Sequence, residues 1–295
     1  MATEFDPRHA APPDGIRLLV ETDRRRLIGF LSTDPEDNIY LLSRVAMDGV
    51  VNEESTAHGR FYGHFAGDDL DGVVFFGHRR GMVLAGNGDE FIRCAAALAL
   101  GPESDWVILV GPRLAADVFL SHYRWRGRPT HVNRIQVFYV LHEGNLPRSS
   151  ARVRAAELGD LDAVVEMSEQ MLLEDFRLPA GSLSRDGIRE SMRQKIVDGR
   201  TWLLEDRGEV VFKVDVSAQF AGGAQIEGVF TRPRSRGRGF AREGVTAVSR
   251  ELLRTSAFVS LHVDRDNAPA RRAYEHAGFR RHSEFRLVLL ELSPA

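Results

Sequence analysis

The sequence predicts an α+β protein, and three observations lead to this fold class. With 295 residues, the chain is long enough for two domains of about 150 residues each. Its C-terminal half shows strand and helix patterns in the order β-α-α-β-β-β-α-β-α-β, which is a mixed layer arrangement of sheet and helices. Its N-terminal half alternates helices and strands irregularly. Each half is therefore expected to fold as a separate domain with its own core.

The N-terminal half is expected to begin with a disordered or extended lead-in of about 20 residues. After it, residues 24–45 predict two short helices that break at Asp34-Pro35. Hydrophobic alternation then predicts hairpin-linked strands at 60–67, 72–79 and 81–86, a helix at 89–100, a buried strand at 106–111, a helix at 114–124 and a strand at 132–141. Residues 142–150 have the turn residues and low hydrophobicity of a linker, which predicts domains at 1–148 and 149–295.

The C-terminal half contains an antiparallel meander between helices. A strand and a helix are predicted within 153–176, and a second helix at 184–199. The meander follows as strands at 201–206, 210–217 and 224–231, joined by turns that contain Gly208 and Gly222-Gly223. An amphipathic helix at 240–255, a strand at 258–264, a short helix at 268–278 and a strand at 284–292 complete the domain.

Composition and charge narrow the function classes. The net charge of −3 gives no sign of a polyanion-binding surface, which argues against nucleic acid. The single cysteine, Cys94, is interpreted as a small buried hydrophobe in an apolar stretch, and cysteine-based metal sites are excluded. No stretch reaches the roughly 18 apolar residues of a membrane span, so no membrane partner and a cytoplasmic location are predicted. Only Lys195 and Lys213 are lysines, which is interpreted as coding bias towards arginine.

The segment 232–239, RPRSRGRG, predicts a phosphate cradle at the start of the amphipathic helix. Gly237 and Gly239 permit positive φ angles and close approach of another molecule to the backbone. The first N–H groups of the helix, up to about Arg242, have no partner within it and carry the positive end of its dipole. ATP-type and dinucleotide glycine motifs do not fit this spacing. A solvated arginine-rich turn remains the alternative on these residues alone.

A second segment, 260–279, predicts a short helix with a chemically useful face. Asn267 is placed to cap its N-terminus, Pro269 suits its first turn, and Gly278 ends it. Ala270 and Tyr274 are four residues apart and therefore lie on the same helical face, one turn from each other. A bulky group could pass over the small side chain and bring its reactive end to the phenol.

Together the two segments resemble the GCN5-related N-acetyltransferase (GNAT) superfamily. The acetyl-CoA motif R/Q-x-x-G-x-G/A is matched by residues 236–241, and the pattern N-x-x-A-x-x-x-Y-x-x-x-G-F by residues 267–279. The stretches QIEGVFT and VVFKVDV, with the degenerate N-terminal half, are most similar to bacterial two-domain members with a DUF4081-type N-terminal domain and an FR47-like C-terminal domain. The resemblance implies tandem GNAT-like domains, each a mixed, mostly antiparallel sheet flanked by helices, and only the C-terminal one able to bind acetyl-CoA.

The resemblance also implies roles for particular residues. Acetyl-CoA would be bound by Val229, Phe230, Thr231, Arg236, Gly237, Arg238, Gly239, Phe240, Ala241, Arg242, Asn267 and Ala270. Tyr274 would stabilise the departing thiolate. Glu227 is the preferred general base, on the strand beside the thioester, where alternation places it on the face of Val229. Asp215 and Glu174 are the alternatives, and no metal is predicted because the histidines lack ligand spacing.

These observations favour a CoA-dependent N-acyltransferase, with acetyl-CoA as the default donor and a small-molecule or peptide amine as acceptor. An acetyl-CoA sensor or scaffold without turnover is the alternative. Nucleic-acid binding is disfavoured because no aromatic platform accompanies the arginines. The N-terminal half is expected to wall the acceptor cleft and to supply contacts for a homodimer or another partner.

Overall fold

The computed structural model describes residues 13–51, 59–77, 80–101, 105–123 and 129–291. Most of the predicted lead-in therefore lies outside the described residues. Within them, helices and strands are found where the sequence predicts them, and the mixed α/β fold class is confirmed. One short strand at Ile16–Leu18 was not predicted, and it lies at the end of the expected lead-in.

The elements are as follows in chain order. The first are β1 (Ile16–Leu18), α1 (Arg24–Leu31), α2 (Ile39–Asp48), β2 (Arg60–Ala66), β3 (Asp69–Gly77), β4 (Gly81–Ala85), α3 (Asp89–Ala99), β5 (Ile108–Pro112), α4 (Arg113–His122) and β6 (Thr130–His142). The chain continues with β7 (Arg154–Ala155), α5 (Leu161–Phe176), α6 (Arg185–Val197), β8 (Thr201–Asp206), β9 (Glu209–Phe220), β10 (Gly223–Thr231), α7 (Phe240–Leu252), β11 (Phe258–Asp264), α8 (Ala268–His276) and β12 (Arg280–Leu290).

The chain divides into two compact units. One comprises Met1–Val137 and Ser283–Ala295, and the other comprises Phe138–His282. The final strand thus belongs mainly to the first unit, where Phe285 to Leu289 pair with β5. The predicted domain boundary at 148/149 stays a prediction.

In the first unit, the sheet runs in the order β1-β2-β3-β4-β5-β12. Its pairs are antiparallel except β4 with β5, which are parallel. A core of aromatic and aliphatic side chains, including Phe91, Trp106 and Phe119, packs with α3 and α4. Cys94 on α3 is half-buried beside this core rather than fully buried as predicted, and burial raises the pKa of its thiol. A thiol with a raised pKa is a poor nucleophile, in agreement with the interpretation from sequence.

In the second unit, the sheet runs in the order β6-β11-β10-β9-β8-β7. Strands β8 to β10 form the predicted antiparallel meander, β7 pairs in antiparallel fashion with β8, and β10 pairs in parallel with β11. Helices α5 and α6 pack on the sheet through a core that includes Val164, Ile196 and Leu203. Gly244 lets α7 approach the other side of the meander, because a β-carbon there would lie 2.4 Å from the ring of Phe212.

Local signals in the sequence explain where the helices of the second unit begin. Ser184 caps α6, since its Oγ accepts a hydrogen bond of 3.2 Å from the backbone N–H of Gly187. In the helix that starts from this cap, Lys195 lies in the last turn. Within the described residues, no helix combines the length and the apolar character that a bilayer crossing requires.

Candidate functional site

Strands β10 and β11 separate part-way along their length. They pair in parallel from Ala224 with Val259 to Ile226 with Leu261. Strand β10 then continues to Thr231, and within the described residues no further pair joins it to β11. The ladder between the two strands therefore has a gap beyond Ile226, in which backbone groups of β10 lack the partner that a continuing ladder would give them.

A β-bulge at Gly228 interrupts β10 just beyond the last parallel pair. On the opposite edge of β10, Glu227 pairs with Asp215 on β9 and the next pair joins Phe230 to Lys213, so β10 has one residue more than β9 between these pairs. Gly228 takes a φ of 60°, and a β-carbon at this position would lie 2.7 Å from Oδ2 of Asp215. Glycine is therefore required here both by the backbone angle and by the space.

The bulge changes which side chains share a face of the sheet. Residues paired across an antiparallel ladder point to the same face, so Glu227 and Phe230 lie on one face. The predicted alternation, with Glu227 and Val229 on one face, does not hold across the bulge. The physical reason is the inserted residue, which shifts the period of two by one position.

The turn between β10 and α7 has the conformation of an anion cradle. Gly237 and Gly239 take φ angles of 75° and 86°, and a β-carbon on either would meet no other described atom within 4 Å. Helix α7 begins at Phe240 with Gly239 as its N-cap. The first N–H groups of this helix thus lie beside bare backbone and open space, which is the arrangement that binds phosphate groups at helix N-termini.

The arginines of this turn are all paired with carboxylates. The pairs are Arg232–Glu166, Arg234–Glu209, Arg236–Glu174, Arg238–Asp206 and Arg242–Glu243. The positive charge of the segment is therefore locally balanced, and the alternative of a free arginine-rich surface for nucleic acid loses support. An anion at this turn would therefore depend first on the backbone N–H groups.

Arg236 ties the end of β10 to α5. Its Nε donates a hydrogen bond of 3.1 Å to the carbonyl oxygen of Thr231, and its Nη2 lies 2.7 Å from Oε2 of Glu174. Its guanidinium carbon lies 5.2 Å from the ring centre of Phe230, within the range of a cation–π contact. The side chain is thus engaged with protein groups on three sides and fixes the strand end next to the cradle.

The predicted cap and end of α8 are confirmed. Oδ1 of Asn267 accepts a hydrogen bond of 3.1 Å from the backbone N–H of Ala270. After the helix, Gly278 takes a φ of 94°, and a β-carbon there would lie 2.2 Å from the carbonyl oxygen of Asn145. These contacts fix the length and position of a helix of nine residues whose last turn contains Tyr274.

Tyr274 is buried, with 7% of its surface exposed, yet its hydroxyl makes no hydrogen bond with any residue that the structure describes. A tyrosine kept for packing alone usually has a partner for its hydroxyl when it is buried. Burial first, and the negative charge of Asp175 second, raise the pKa of Tyr274. The phenol is therefore protonated at neutral pH and can donate a hydrogen bond, but cannot act as a base.

The C-terminal end of α5 brings the cradle and this tyrosine into one region. Glu174 binds Arg236 beside the cradle, and the neighbouring Asp175 is close enough to influence the pKa of Tyr274. Helices α7 and α8 also pack against each other. The glycine turn and the phenol, predicted from two separate motifs, are thus both linked to the C-terminal end of α5.

The second feature of the site is a cluster of four charged groups that sequence reasoning missed. Nζ of Lys195 lies 2.6 Å from Oε1 of Glu227 and 3.3 Å from Oδ2 of Asp215. Nζ of Lys213 lies 2.9 Å from the same Oδ2, and Oγ1 of Thr201 donates a hydrogen bond of 2.9 Å to Oδ1. Both lysines of the chain thus converge on Asp215.

The sequence assigned no role to the two lysines, and the structure shows that they share an ion cluster. The chain has 39 lysines and arginines, of which two are lysines, and both lie in one cluster. The rarity of lysine in the sequence was the available signal for this cluster. Lysine has a compact ammonium group whereas arginine has a planar guanidinium, so the two residues are not interchangeable in a close-packed ion cluster.

Burial and charge act against each other in the cluster. Burial by itself would raise the pKa of Asp215, but the ammonium groups of Lys213 and Lys195 outweigh it and hold the pKa below its usual value. Burial would likewise lower the pKa of Lys195, but the carboxylates of Glu227 and Asp215 raise it overall. Asp215 and Lys195 are therefore both charged at neutral pH. In the cluster as a whole, two lysines face two carboxylates.

The three carboxylates predicted as candidate bases differ in access. Asp215 is buried and bound to two lysines. The side chains of Glu174 and Glu227 are 48% and 47% exposed, and each is bound to one cation, Arg236 and Lys195 respectively. Access therefore disfavours Asp215 as a base and does not distinguish Glu174 from Glu227, but Glu227 is the one that lies on the bulged strand.

His262 is the first residue of β11 beyond its last pair with β10. Its ring centre lies 4.5 Å from that of Phe138, and burial lowers the pKa of its imidazole to about 3. His262 is therefore neutral at physiological pH, in keeping with the structural role expected from its spacing. His276 is bound to the carbonyl oxygen of Arg272 at 2.7 Å.

Solved structures with a similar fold span nearly the whole chain. A GNAT-family acetyltransferase from Colwellia psychrerythraea has 12% identity and a TM-score of 0.54, over 94% of this chain and 99% of that one. A Drosophila protein has 14% identity and a TM-score of 0.65, also over 94% of this chain and 99% of that one. A tandem GNAT protein from the clavulanic acid biosynthesis pathway has 12% identity and a TM-score of 0.56, over 95% of this chain and 99% of that one. At these identities the likeness concerns the fold.

Sequence comparison identifies the segment that carries the site. No curated protein is significantly similar to the chain in sequence. Residues 169–279 match the family described as Acetyltransferase (GNAT) family. The matched segment contains the bulged strand, the glycine turn, both lysines and Tyr274.

Proposed function

We propose that the protein is an N-acetyltransferase that transfers an acetyl group from acetyl-CoA directly to a primary amine. The observation that carries the proposal is the buried Tyr274, whose hydroxyl has no hydrogen-bond partner among the described residues, together with an open glycine cradle linked to the same end of α5. Acetyl transfer from acetyl-CoA needs a place to bind the pyrophosphate of CoA and a hydrogen-bond donor for the leaving thiolate. The cradle and the phenol would supply these two functions. The assignment to the DUF4081 and FR47 subtypes stays a prediction from resemblance.

The donor would be held by backbone groups. We infer that Val229, Phe230 and Thr231 bind the pantetheine arm along the edge of β10 that faces the gap, and that residues 237–242 bind the pyrophosphate. The carbonyl oxygen of Thr231 already accepts a hydrogen bond from Arg236, so this residue would contribute mainly by its place at the strand end. Ala270 would lie beneath the arm one turn before Tyr274.

The chemistry then divides between two side chains. Glu227 would take a proton from the acceptor amine, because it is the exposed carboxylate on the bulged strand. Tyr274 would donate a hydrogen bond to the sulfur as the carbon–sulfur bond breaks. Since the ordinary pKa of a thiol is about 8.5, a phenol with a raised pKa stabilises the thiolate by hydrogen bonding rather than by complete proton transfer.

A thiol-release screen of purified protein with acetyl-CoA against a library of amines tests this proposal. Release of CoA that depends on an amine supports the enzyme. Binding of acetyl-CoA without thiol release from any amine would favour the sensor or scaffold instead. Calorimetry with acetyl-CoA should give one site per chain, because the glycine cradle found among the described residues lies in the second unit.

Replacing Gly239 by aspartate is expected to weaken acetyl-CoA binding by at least about 30-fold, which corresponds to roughly 2 kcal/mol. An aspartate at the N-cap would place bulk and negative charge where the pyrophosphate would lie, and its φ of 86° disfavours any side chain. The matched control is Gly199→Asp, which also has a positive φ of 67° and open space but lies after α6. Equal binding by Gly239→Asp and the parent would contradict a cradle at this turn.

Replacing Arg236 by alanine is expected to weaken binding of CoA and of dephospho-CoA by the same factor, about 3- to 10-fold. The reason is that Arg236 is engaged with Thr231 and Glu174 and acts by fixing the strand end. Calorimetry with the two ligands measures the factor. A loss confined to CoA would instead show that the guanidinium leaves Glu174 and reaches the 3′-phosphate.

A further inference from the structure

We propose that the acceptor carries a carboxylate, or an equivalent oxyanion, close to its primary amine, so that it resembles an amino acid rather than a simple amine. This inference rests on the proposed function, because it names the acceptor of the same site. It is drawn from the lysine cluster, defined as Lys195, Lys213, Asp215, Glu227 and Thr201.

The outer part of the cluster is an ion pair at the surface of the site. Nζ of Lys195 lies 2.6 Å from Oε1 of Glu227, and the two side chains are 21% and 47% exposed. Both belong to the second unit, Lys195 in the last turn of α6 and Glu227 beside the bulge of β10. An incoming molecule therefore meets an ammonium group and a carboxylate that are already bound to each other.

The inner part of the cluster has no capacity for another cation. Oδ2 of Asp215 accepts from Lys213 at 2.9 Å, and Oδ1 accepts from Thr201 at 2.9 Å. Lys213 and Asp215 are 0% and 2% exposed, so this pair is sealed from water. Lys195 is 3.3 Å from the same Oδ2 and shares an oxygen that already serves Lys213.

Lys195 binds Oε1 of Glu227, so an acceptor amine that binds the other oxygen of this carboxylate places a second ammonium group beside that of Lys195. Among the described residues, the only other carboxylate oxygen that Lys195 contacts is the one that already serves Lys213, so two cations would share Glu227 in a half-buried position, which is unfavourable. A carboxylate next to the acceptor amine removes this difficulty, because it binds Lys195 while the amine binds Glu227. Each of the two ammonium groups then has a carboxylate partner.

The charge of the cluster leads to the same conclusion. Two ammonium groups face two carboxylates, so the cluster is neutral before the acceptor enters. An amine without an anionic group arrives as a cation and leaves the half-buried site with one excess positive charge. An acceptor that carries both charges adds none, and a lysine is suited to the exchange because its compact ammonium can change partners without a fixed fork geometry.

Matched pairs of acceptors test the proposal. Suitable pairs are L-leucine with isoamylamine, L-phenylalanine with 2-phenylethylamine and L-lysine with cadaverine, while β-alanine and 4-aminobutyrate vary the spacing between amine and carboxylate. We expect the carboxylate-bearing member of at least one pair to have a kcat/KM at least 10-fold higher in the thiol-release assay. Calorimetry of the same acceptors with the protein saturated with CoA should show the same order without turnover.

Variants of α6 identify the group responsible. Lys195→Met should reduce the preference to less than about threefold, mainly by raising KM for the carboxylate-bearing acceptor, and Lys195→Arg should retain part of it. Arg193→Met is the control, because Arg193 is an exposed cation on the same helix that is bound to Glu190 and lies outside the cluster. It should leave the preference unchanged.

The outcomes separate this proposal from the proposed function. Thiol release with simple amines that equals or exceeds release with their carboxylate-bearing partners in every pair would overturn the acceptor proposal and leave the acetyltransferase standing. A Lys195→Met variant that loses the same factor with both members would also overturn it. Absence of acetyl-CoA binding would overturn the proposed function, and the acceptor proposal with it.

Discussion

Replacing Tyr274 by phenylalanine is expected to lower kcat by about 10- to 1,000-fold while acetyl-CoA binding changes by less than about threefold. The substitution keeps the ring and removes only the hydroxyl. That hydroxyl has no hydrogen-bond partner among the described residues, so the variant loses no bond of the folded protein. What it loses is the donor that would stabilise the thiolate as the acetyl group leaves.

Tyr139→Phe provides the matched control for this prediction. Tyr139 is also buried in the second unit, but its hydroxyl donates a hydrogen bond of 2.6 Å to Oε1 of Glu275 and accepts one of 3.3 Å from Arg271. Its loss should lower the unfolding free energy by about 1.5–3 kcal/mol, the range for a hydrogen bond to a charged group. Tyr274→Phe should leave the melting temperature within about 2 °C of the parent, since no bond is lost.

The two variants therefore separate catalysis from packing. The prediction for Tyr274 requires a large decrease of kcat with little change of stability. Tyr139→Phe should instead show a clear loss of stability with a smaller effect on kcat. Full kcat in Tyr274→Phe at saturating acetyl-CoA would assign this tyrosine to packing, and water or another residue would then have to stabilise the thiolate. Because burial raises the pKa of Tyr274, its ionisation should not contribute to the pH profile between pH 6 and 9.

Local signals in the sequence explain what could be predicted. Asn267 caps α8 and Gly278 ends it as expected, because capping and positive φ depend on neighbouring residues. Gly237 and Gly239 form the expected turn for the same reason. The roles assigned to these residues in binding stay predictions, since local geometry shows a suitable cradle and leaves its ligand to experiment.

Contacts between distant residues explain what the sequence left open. The bulge at Gly228 follows from pairing with β9, and the glycine inside a strand pattern was its signal in the sequence. The lysine cluster joins α6, β9 and β10, whose residues have no common spacing in the chain. The final strand was predicted as a strand, but its pairing with β5 joins residues more than 170 positions apart.

The buried pair of Lys213 and Asp215 allows a prediction about stability that is independent of the proposed activity. Lys213→Met is expected to lower the unfolding free energy by about 3–5 kcal/mol, the range for a buried charge that loses its partner. Methionine fits the volume of the lysine stem, but it leaves Asp215, which is 2% exposed, with Thr201 and the more distant Lys195. Urea unfolding at pH 8 measures the loss.

The double variant Lys213→Met/Asp215→Leu is the control. Replacing a buried ion pair by apolar groups is often close to neutral, so the double variant should be at least about 2 kcal/mol more stable than Lys213→Met alone. This rescue distinguishes an unpaired charge from a packing defect at Lys213. If both variants lose the same stability, the lysine acts through its volume.

The unfolding free energies of the parent and of Lys213→Met should depend differently on pH. In the parent, the pKa of Asp215 lies below its usual value, so its contribution is present above about pH 4 and is lost as the pH falls through the folded-state pKa. In Lys213→Met, the ammonium of Lys195 and the hydrogen bond from Thr201 remain to oppose burial, but the ammonium of Lys213 is gone, so the pKa of Asp215 rises and the folded state takes up a proton more readily. The difference in unfolding free energy between parent and variant should therefore be largest at pH 8 and decrease towards pH 5. A difference that increases as the pH falls would contradict the assignment of Lys213 as the partner that keeps Asp215 ionised.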